Sequence, residues 1–129
     1  MATTWTSEEL DKIAAEEELQ IASVRRDGTL LKPVTIWVVR HGDQIYVRSV
    51  NGRTSAWFRG TQWRHQGRIW AGSVERDVTF VDAAHDLNDQ IDAEYRTKYR
   101  RYDASIIRSI VSPEARSTTL KLVPRSTIS

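Results

Sequence analysis

The stretch from Leu19 to Val50 does most to narrow the folds open to this chain. Leu19-Gln20-Ile21-Ala22-Ser23-Val24 alternates with the period of two expected of a half-buried strand. Asp27-Gly28 marks a turn. Val34-Thr35-Ile36-Trp37-Val38-Val39 is apolar on both faces, which predicts a central strand. His41-Gly42-Asp43 reverses the chain, and Gln44 to Val50 returns with Ile45 and Val47 on one face and Tyr46 and Arg48 on the other. The pattern predicts an antiparallel hairpin of Val34–Val39 against Gln44–Val50.

The flanks extend this to an α+β fold. Thr6 and Glu9 have the spacing of a capping box, and Trp5 and Leu10 that of a hydrophobic staple, so a helix starts at the N-terminal side. Ser55 to Arg59 has the length of one helical turn. Arg68–Val74 and Asp77–Val81 read as two further strands joined near Glu75-Arg76, with Gly72 as a bulge or a point of close approach. Asp86 is placed to cap a helix carrying Leu87, Ile91, Tyr95, Tyr99 and Tyr102 on one face. Ala104 to Val111 reads as a shorter helix burying Ile106, Ile107, Ile110 and Val111, stopped by Ser112-Pro113. Thr118 to Val123 is a last strand. About six strands with short connections pair antiparallel, and a strongly twisted sheet of this size tends to close on itself.

Composition excludes several classes of function. The 129 residues fit one domain, 1–129, and include no cysteine, which removes disulfides, thiolate metal sites and cysteine nucleophiles. That usage suits a reducing cytoplasm. The start of the sequence lacks the charged and apolar regions of a secretory signal, and no apolar run approaches the ~20 residues of a membrane span. The 19 basic and 17 acidic residues balance to +2, too little to point to nucleic acid. His41, His65 and His85 lack metal-ligand spacing, and no glycine-rich phosphate loop opens a helix. The five tryptophans are a high count, and some are expected to line a pocket or a subunit interface.

The densest polar constellation is Arg48-Ser49-Val50-Asn51-Gly52-Arg53-Thr54-Ser55-Ala56-Trp57-Phe58-Arg59. It leaves a strand, turns at Asn51-Gly52 and enters a helical turn. Its hydroxyls, backbone N–H groups and guanidiniums suit an anion such as phosphate; as an ordinary loop it would simply expose its arginines. A second basic cluster, Arg96 to Arg101, sits where a helix dipole favours cations.

Arg25 to Ser49, with its proline, aromatic-rich strand and Gly-Asp turn, resembles the opening hairpin of the split β-barrel flavoproteins. These include the pyridoxamine-phosphate oxidase-like and deazaflavin-dependent nitroreductase-like proteins. Gly52 to Arg59 resembles the phosphate-binding stretch of the deazaflavin group, and Thr119 to Pro124 its closing strand. The whole chain resembles a bacterial family known as domain of unknown function 2255. The resemblance implies a split β-barrel (FMN-binding-like) fold and a homodimer with a groove shared between subunits. It also implies a flavin- or deazaflavin-dependent reductase acting on a small organic substrate. FMN or a deazaflavin would be held by Arg48, Ser49, Arg53 and Thr54, with Trp57 and Arg59 bracing the turn. Trp37, Trp70 and Tyr99 would face the ring or the substrate. One departure favours a different outcome. Where relatives often carry an Asn-Pro loop, this chain has Gly60-Thr61-Gln62-Trp63-Arg64-His65, and Trp63 is placed to fill the ring's groove. The alternatives are a cofactor-free protein binding a small aromatic ligand, as a module or a biosynthetic enzyme, and an interaction protein using Arg96 to Arg101.

Overall fold

The computed structural model describes residues 4–125; the first residues of the sequence, on which the expectation of no signal peptide rests, lie outside them. Helix α1 (Ser7–Ala15) begins as its sequence requires. The Thr6 hydroxyl accepts from the Glu9 amide at 3.1 Å and the Glu9 carboxylate accepts from the Thr6 amide at 3.0 Å. Trp5 and Leu10 are buried in one cluster. The Trp5 indole N–H donates to the Leu122 carbonyl at 2.9 Å, giving the buried ring its polar partner.

Seven strands follow: β1 (Glu18–Ser23), β2 (Val34–Trp37), β3 (Val39–His41), β4 (Gln44–Val47), β5 (Gln66–Ala71), β6 (Val74–Asp82) and β7 (Leu120–Pro124). They form one antiparallel sheet in the order β2-β1-β5-β6-β7-β4-β3. Its two outermost strands, β2 and β3, are separated in sequence by Val38 alone. The sheet therefore curls into a nearly closed barrel. Ile21, Ile45, Val47, Ile69, Val78, Phe80, Leu120 and Leu122 belong to its main buried core.

That arrangement corrects the hairpin expected from sequence. The turn at Gly42-Asp43 is present and β3 pairs with β4, with Val39 opposite Tyr46. Val34–Trp37 instead pairs with β1, with Ile36 opposite Leu19. Val34–Val39 is thus two edge strands joined at a corner, not one central strand. Side chains from a helix satisfy the backbone at that corner. The Val38 amide donates to the Tyr99 hydroxyl at 3.1 Å, and the Val38 carbonyl accepts from Lys98 Nζ at 2.8 Å. The Tyr99 hydroxyl also lies 2.5 Å from the Glu17 carbonyl oxygen, to which it donates.

The β5–β6 turn is at Gly72-Ser73, not Glu75-Arg76. Gly72 has φ +58°, a turn conformation rather than a bulge. Glu75 and Arg76 lie within β6, where Glu75 meets Arg68 at 2.8 Å and Arg76 meets Glu9 at 2.6 Å.

Helix α2 (Ala56–Arg64) runs well past the single turn expected. It packs closely on the barrel: a Cβ at Gly60 would stand 2.2 Å from Ser23 Oγ. Helix α3 (Asn88–Lys98) follows a 3-10 turn at His85–Leu87, and the Asp86 side chain caps neither. Helix α4 (Ala104–Ile110) buries Ile110 but leaves Ile106 44% exposed, contrary to expectation. Ser112-Pro113 both ends α4 and starts α5 (Pro113–Arg116), with the Ser112 hydroxyl accepting from the Ala115 amide at 3.2 Å. A second core joins Ile91, Tyr95, Tyr99 and Ile110 to Val39 and Tyr46, seating α3 and α4 on β3 and β4. Among the described residues no helix is long and apolar enough to cross a membrane.

Candidate functional site

Beyond β4 the chain passes through Arg48 and Ser49, turns at Gly52 (φ +74°) and enters α2. This leaves a pocket of about 380 Å³ bordered by β1 and β2, by the turn from Arg48 with the start of α2, and by α4. Glu18, Thr35, Ile36 and Trp37 come from β1 and β2; Ser49, Val50, Asn51, Ser55 and Trp57 from the turn and the start of α2; Ile106, Ser109 and Ile110 from α4. The lining is mostly apolar with a few polar groups, the usual make-up of a small-molecule site. Trp37 is held rigidly, its ring stacked on Tyr99 with centroids 3.8 Å apart and planes 2° from parallel.

Ser49, Asn51 and Ser55 form one polar wall, while Glu18, Thr35 and Ser109 stand on the others. Ser49 Oγ and Ser55 Oγ are 2.8 Å apart. Ser55 is the N-cap of α2, yet its side chain accepts no bond from the helix's first amides. Those N–H groups and the positive end of the helix dipole thus lie beside two hydroxyls at the pocket wall.

Arg48 contributes differently from the sequence expectation. Its side chain is fully buried, and all five N–H donors of its guanidinium have partners within the protein. Nε donates to Thr119 Oγ1 at 2.9 Å. Nη1 donates to Asp92 Oδ1 and to the Ile110 carbonyl at 3.1 Å. Nη2 donates to the carbonyl and side-chain oxygens of Asn88 at 3.1 and 3.2 Å. Nothing is left to grip a phosphate; Arg48 instead ties β4 to α3, α4 and the approach to β7.

The other expected site residues separate. Ser49, Trp57 and Trp37 line the pocket. Arg53 and Arg59 line a different cleft of about 720 Å³ with Phe58 and Trp63. Arg53 donates there to the Ser117 carbonyl at 3.0 Å and lies over the Phe58 ring. Thr54 donates to the Asn51 carbonyl at 3.2 Å and lines neither space. Trp70 lines a third groove with Glu18, Gln20 and Gly72. Tyr99 is 1% exposed and its hydroxyl is taken up by the backbone, so it reaches the pocket only through Trp37. Trp63, expected to plug the ring's groove, is 52% exposed and belongs to the cleft shared with Arg53. Sequence reasoning missed Ile106 and Ile110 as pocket wall. Their apolar pattern signals a helix face but not what that face borders.

Burial also acts on the corner at Val38. It pulls the Lys98 ammonium down to about 8, against the opposing effect of Glu16. Burial pushes the Tyr99 phenol well up. In the unfolded chain a lysine titrates near about 10.4. Between these two values the unfolded state binds more protons, so the Lys98 contribution makes stability rise with pH; below about 8 both states are protonated and the slope vanishes. Urea midpoints of the wild type should therefore gain on those of Lys98→Met between pH 7 and 10. A constant gap would refute the assignment. Using the difference cancels the tyrosine contribution, which runs the other way above about pH 10.

Residues 9–122 match a family described as "Uncharacterized protein conserved in bacteria (DUF2255)". The chain belongs to this DUF2255 family. No curated protein matches it by sequence. Among solved structures, it is similar to the heme storage protein HutZ from Vibrio cholerae, with TM-score 0.67 and 15% identity over 98% of this chain and 92% of that one. A FAD-binding protein from Mesorhizobium loti gives TM-score 0.57 and 14% identity over 95% and 92% of the two chains. An F420 reductase gives 0.55 and 13% over 92% of each. These DUF2255 neighbours are split-barrel proteins, and at such identities the likeness establishes the α+β split barrel as the fold.

Proposed function

We propose that this DUF2255 protein binds a flat aromatic cofactor, FMN or a deazaflavin, in the pocket between Trp37 and Trp57, and serves as a cytoplasmic reductase of a small organic substrate. The observation that carries this is the pocket's composition: two tryptophans and three isoleucines on its walls, with Ser49, Ser55 and the start of α2 at one end. Fold neighbours named for FAD or F420 support the choice of ligand class. Absence of cysteine suits the compartment.

The residues fit such a group in part. The apolar walls suit a ring, and hydroxyls with helix amides suit one anionic end. No guanidinium with free donors joins them, because Arg48 is fully engaged and Arg53 and Arg59 line the other cleft. A bound cofactor would supply the hydride chemistry. The chain's own residues would do the rest: Trp37, fixed by Tyr99, would set the ring's plane; Ser49, Ser55 and Asn51 would orient its polar end; Ile106 and Ile110 would exclude water. Val50 and Ile106, 50% and 44% exposed beside the pocket, suit cover by a second copy, so we propose a homodimer with the pocket at its interface. Light scattering should find a dimer at micromolar concentration.

The missing free cation favours one second reading: a cofactor-free protein whose pocket takes a neutral aromatic molecule. Titration separates the two. FMN or a deazaflavin should quench tryptophan fluorescence on binding. Trp57→Leu should weaken binding roughly ten-fold, the equivalent of about 1.4 kcal/mol, and Arg53→Ala should leave it unchanged. If wild type binds neither cofactor at about 1 mM, a contact energy near 4 kcal/mol has not been reached and the cofactor-free reading stands.

A further inference from the structure

Helix α4 borders two cavities. Ile106, Ser109 and Ile110 face the pocket described above. Ala104, Ile107, Arg108 and Val111 line a separate cavity of about 420 Å³, completed by Arg96, Arg100 and Tyr102 from the end of α3 and the residues after it. This second cavity has three guanidiniums at its rim and no acidic residue in its lining.

Two arginines outside its lining are engaged. Arg101 pairs with Glu17, and Arg116 meets Asp89 at 2.6 Å. The Tyr102 hydroxyl donates to the same Glu17 carboxylate at 2.6 Å. Among the described residues Arg96 and Arg108 have no carboxylate or hydrogen-bond partner, and Arg100 donates only to the Thr97 carbonyl at 2.9 Å.

Helix-end compensation accounts for only part of this charge. Arg96 is in the last turn of α3 and Arg108 in the last turn of α4. Each helix end supplies at most about half a negative charge. Three guanidiniums against two such ends leave roughly two positive charges facing one cavity. Arginine forks match phosphate oxygens two at a time. Ile107 and Val111 are partly buried and give the cavity an apolar floor beside the Tyr102 ring, over which Arg101 lies at 5.2 Å.

We propose that this cavity is a binding site for a diphosphate group, carried by a nucleoside whose base lies on the apolar floor of Ile107 and Val111. Arg96, Arg100 and Arg108 hold the phosphates. The site depends on nothing assumed about the occupant of the first pocket.

Calorimetric titration of the full chain with ADP, inorganic pyrophosphate, adenosine and a short single-stranded oligonucleotide tests it. ADP and pyrophosphate should both bind, with ADP tighter, and adenosine at least ten-fold weaker than ADP. Arg108→Gln should weaken ADP roughly ten-fold, and Arg96→Gln with Arg108→Gln should abolish measurable binding, while the melting temperature of the free protein stays unchanged. Arg53→Gln, in the other cleft, should bind ADP like wild type. Pyrophosphate matching ADP would keep the diphosphate site and overturn the nucleoside. Adenosine matching ADP, Arg108→Gln binding ADP as wild type does, or no ADP binding at about 1 mM, the bottom of the useful affinity scale, would overturn the site. An oligonucleotide binding more tightly than ADP would replace it with a nucleic-acid surface.

Discussion

Arg48→Met should cost about 3–5 kcal/mol of unfolding free energy, the usual penalty for removing one partner of a buried ion pair. The arginine is 1% exposed and meets Asp92, itself 6% exposed, at 2.5 Å. Removing it strands a buried carboxylate whose remaining cation, the Arg116 Nε, is 3.5 Å away. It also strips partners from the Ile110 carbonyl and Asn88. Urea denaturation would measure the loss. The control is the double variant Arg48→Met with Asp92→Leu, which removes both charges and should recover a large part of it, because isosteric apolar replacement of a buried pair is often near neutral. A double variant no more stable than the single would mean that packing, not stranded charge, sets the cost.

Gly67→Ala should be the most damaging single-methyl addition in the barrel. A Cβ there would lie 2.2 Å from the Ala22 carbonyl oxygen and 2.7 Å from the Phe80 ring. The first neighbour is backbone in a paired strand and the second is a core side chain, so neither yields easily. Overpacking typically costs about 1–3 kcal/mol, and two neighbours that cannot give way put this position at the upper end, about 3 kcal/mol. Gly42→Ala gives the comparison: φ is +61° with nothing within 4 Å of the added carbon, so only the left-handed conformation is penalised, at about 1 kcal/mol. Equal urea midpoints for the two variants would refute the packing argument.

Local signals held at Thr6-Glu9 and at Gly42-Asp43 but not at Asp86, which caps no helix. Thr6 and Glu9 specify a helix start, and Gly42-Asp43 a reversal, without reference to the rest of the fold. The corner at Val38 was not legible, because an apolar run has the same pattern whether it forms one central strand or two edges that exchange neighbours. The two strands were expected to join near Glu75-Arg76; ion pairs with Arg68 and Glu9 let both residues remain in the strand. The site failed to read for a related reason. Arg48, Arg53 and Arg59 are close in sequence, but the end of β4 sends the first to the interior, while the turn at Gly52–Thr54 and helix α2 send the other two to a different cleft. Residue type suggested an anion; only the backbone path determines which guanidiniums can reach one.

The position of β7 governs the order in which the molecule can be assembled. It lies between β6 and β4, so before Leu120–Pro124 is available the sheet consists of two pieces with no strand pairing between them, β2-β1-β5-β6 and the β4-β3 hairpin, linked by the chain at Val38 and from β4 to β5. Emerging from the ribosome at about 5–20 residues per second, the chain spends seconds with both pieces made and the strand that joins them still unsynthesised. During that interval β6 and β4 each present an open backbone edge, and Phe80 and Ile45 lack their partner Leu122. Such edges are where strands of neighbouring chains pair wrongly. For this topology, the hazard of aggregation is concentrated in the interval between the synthesis of β6 and that of β7.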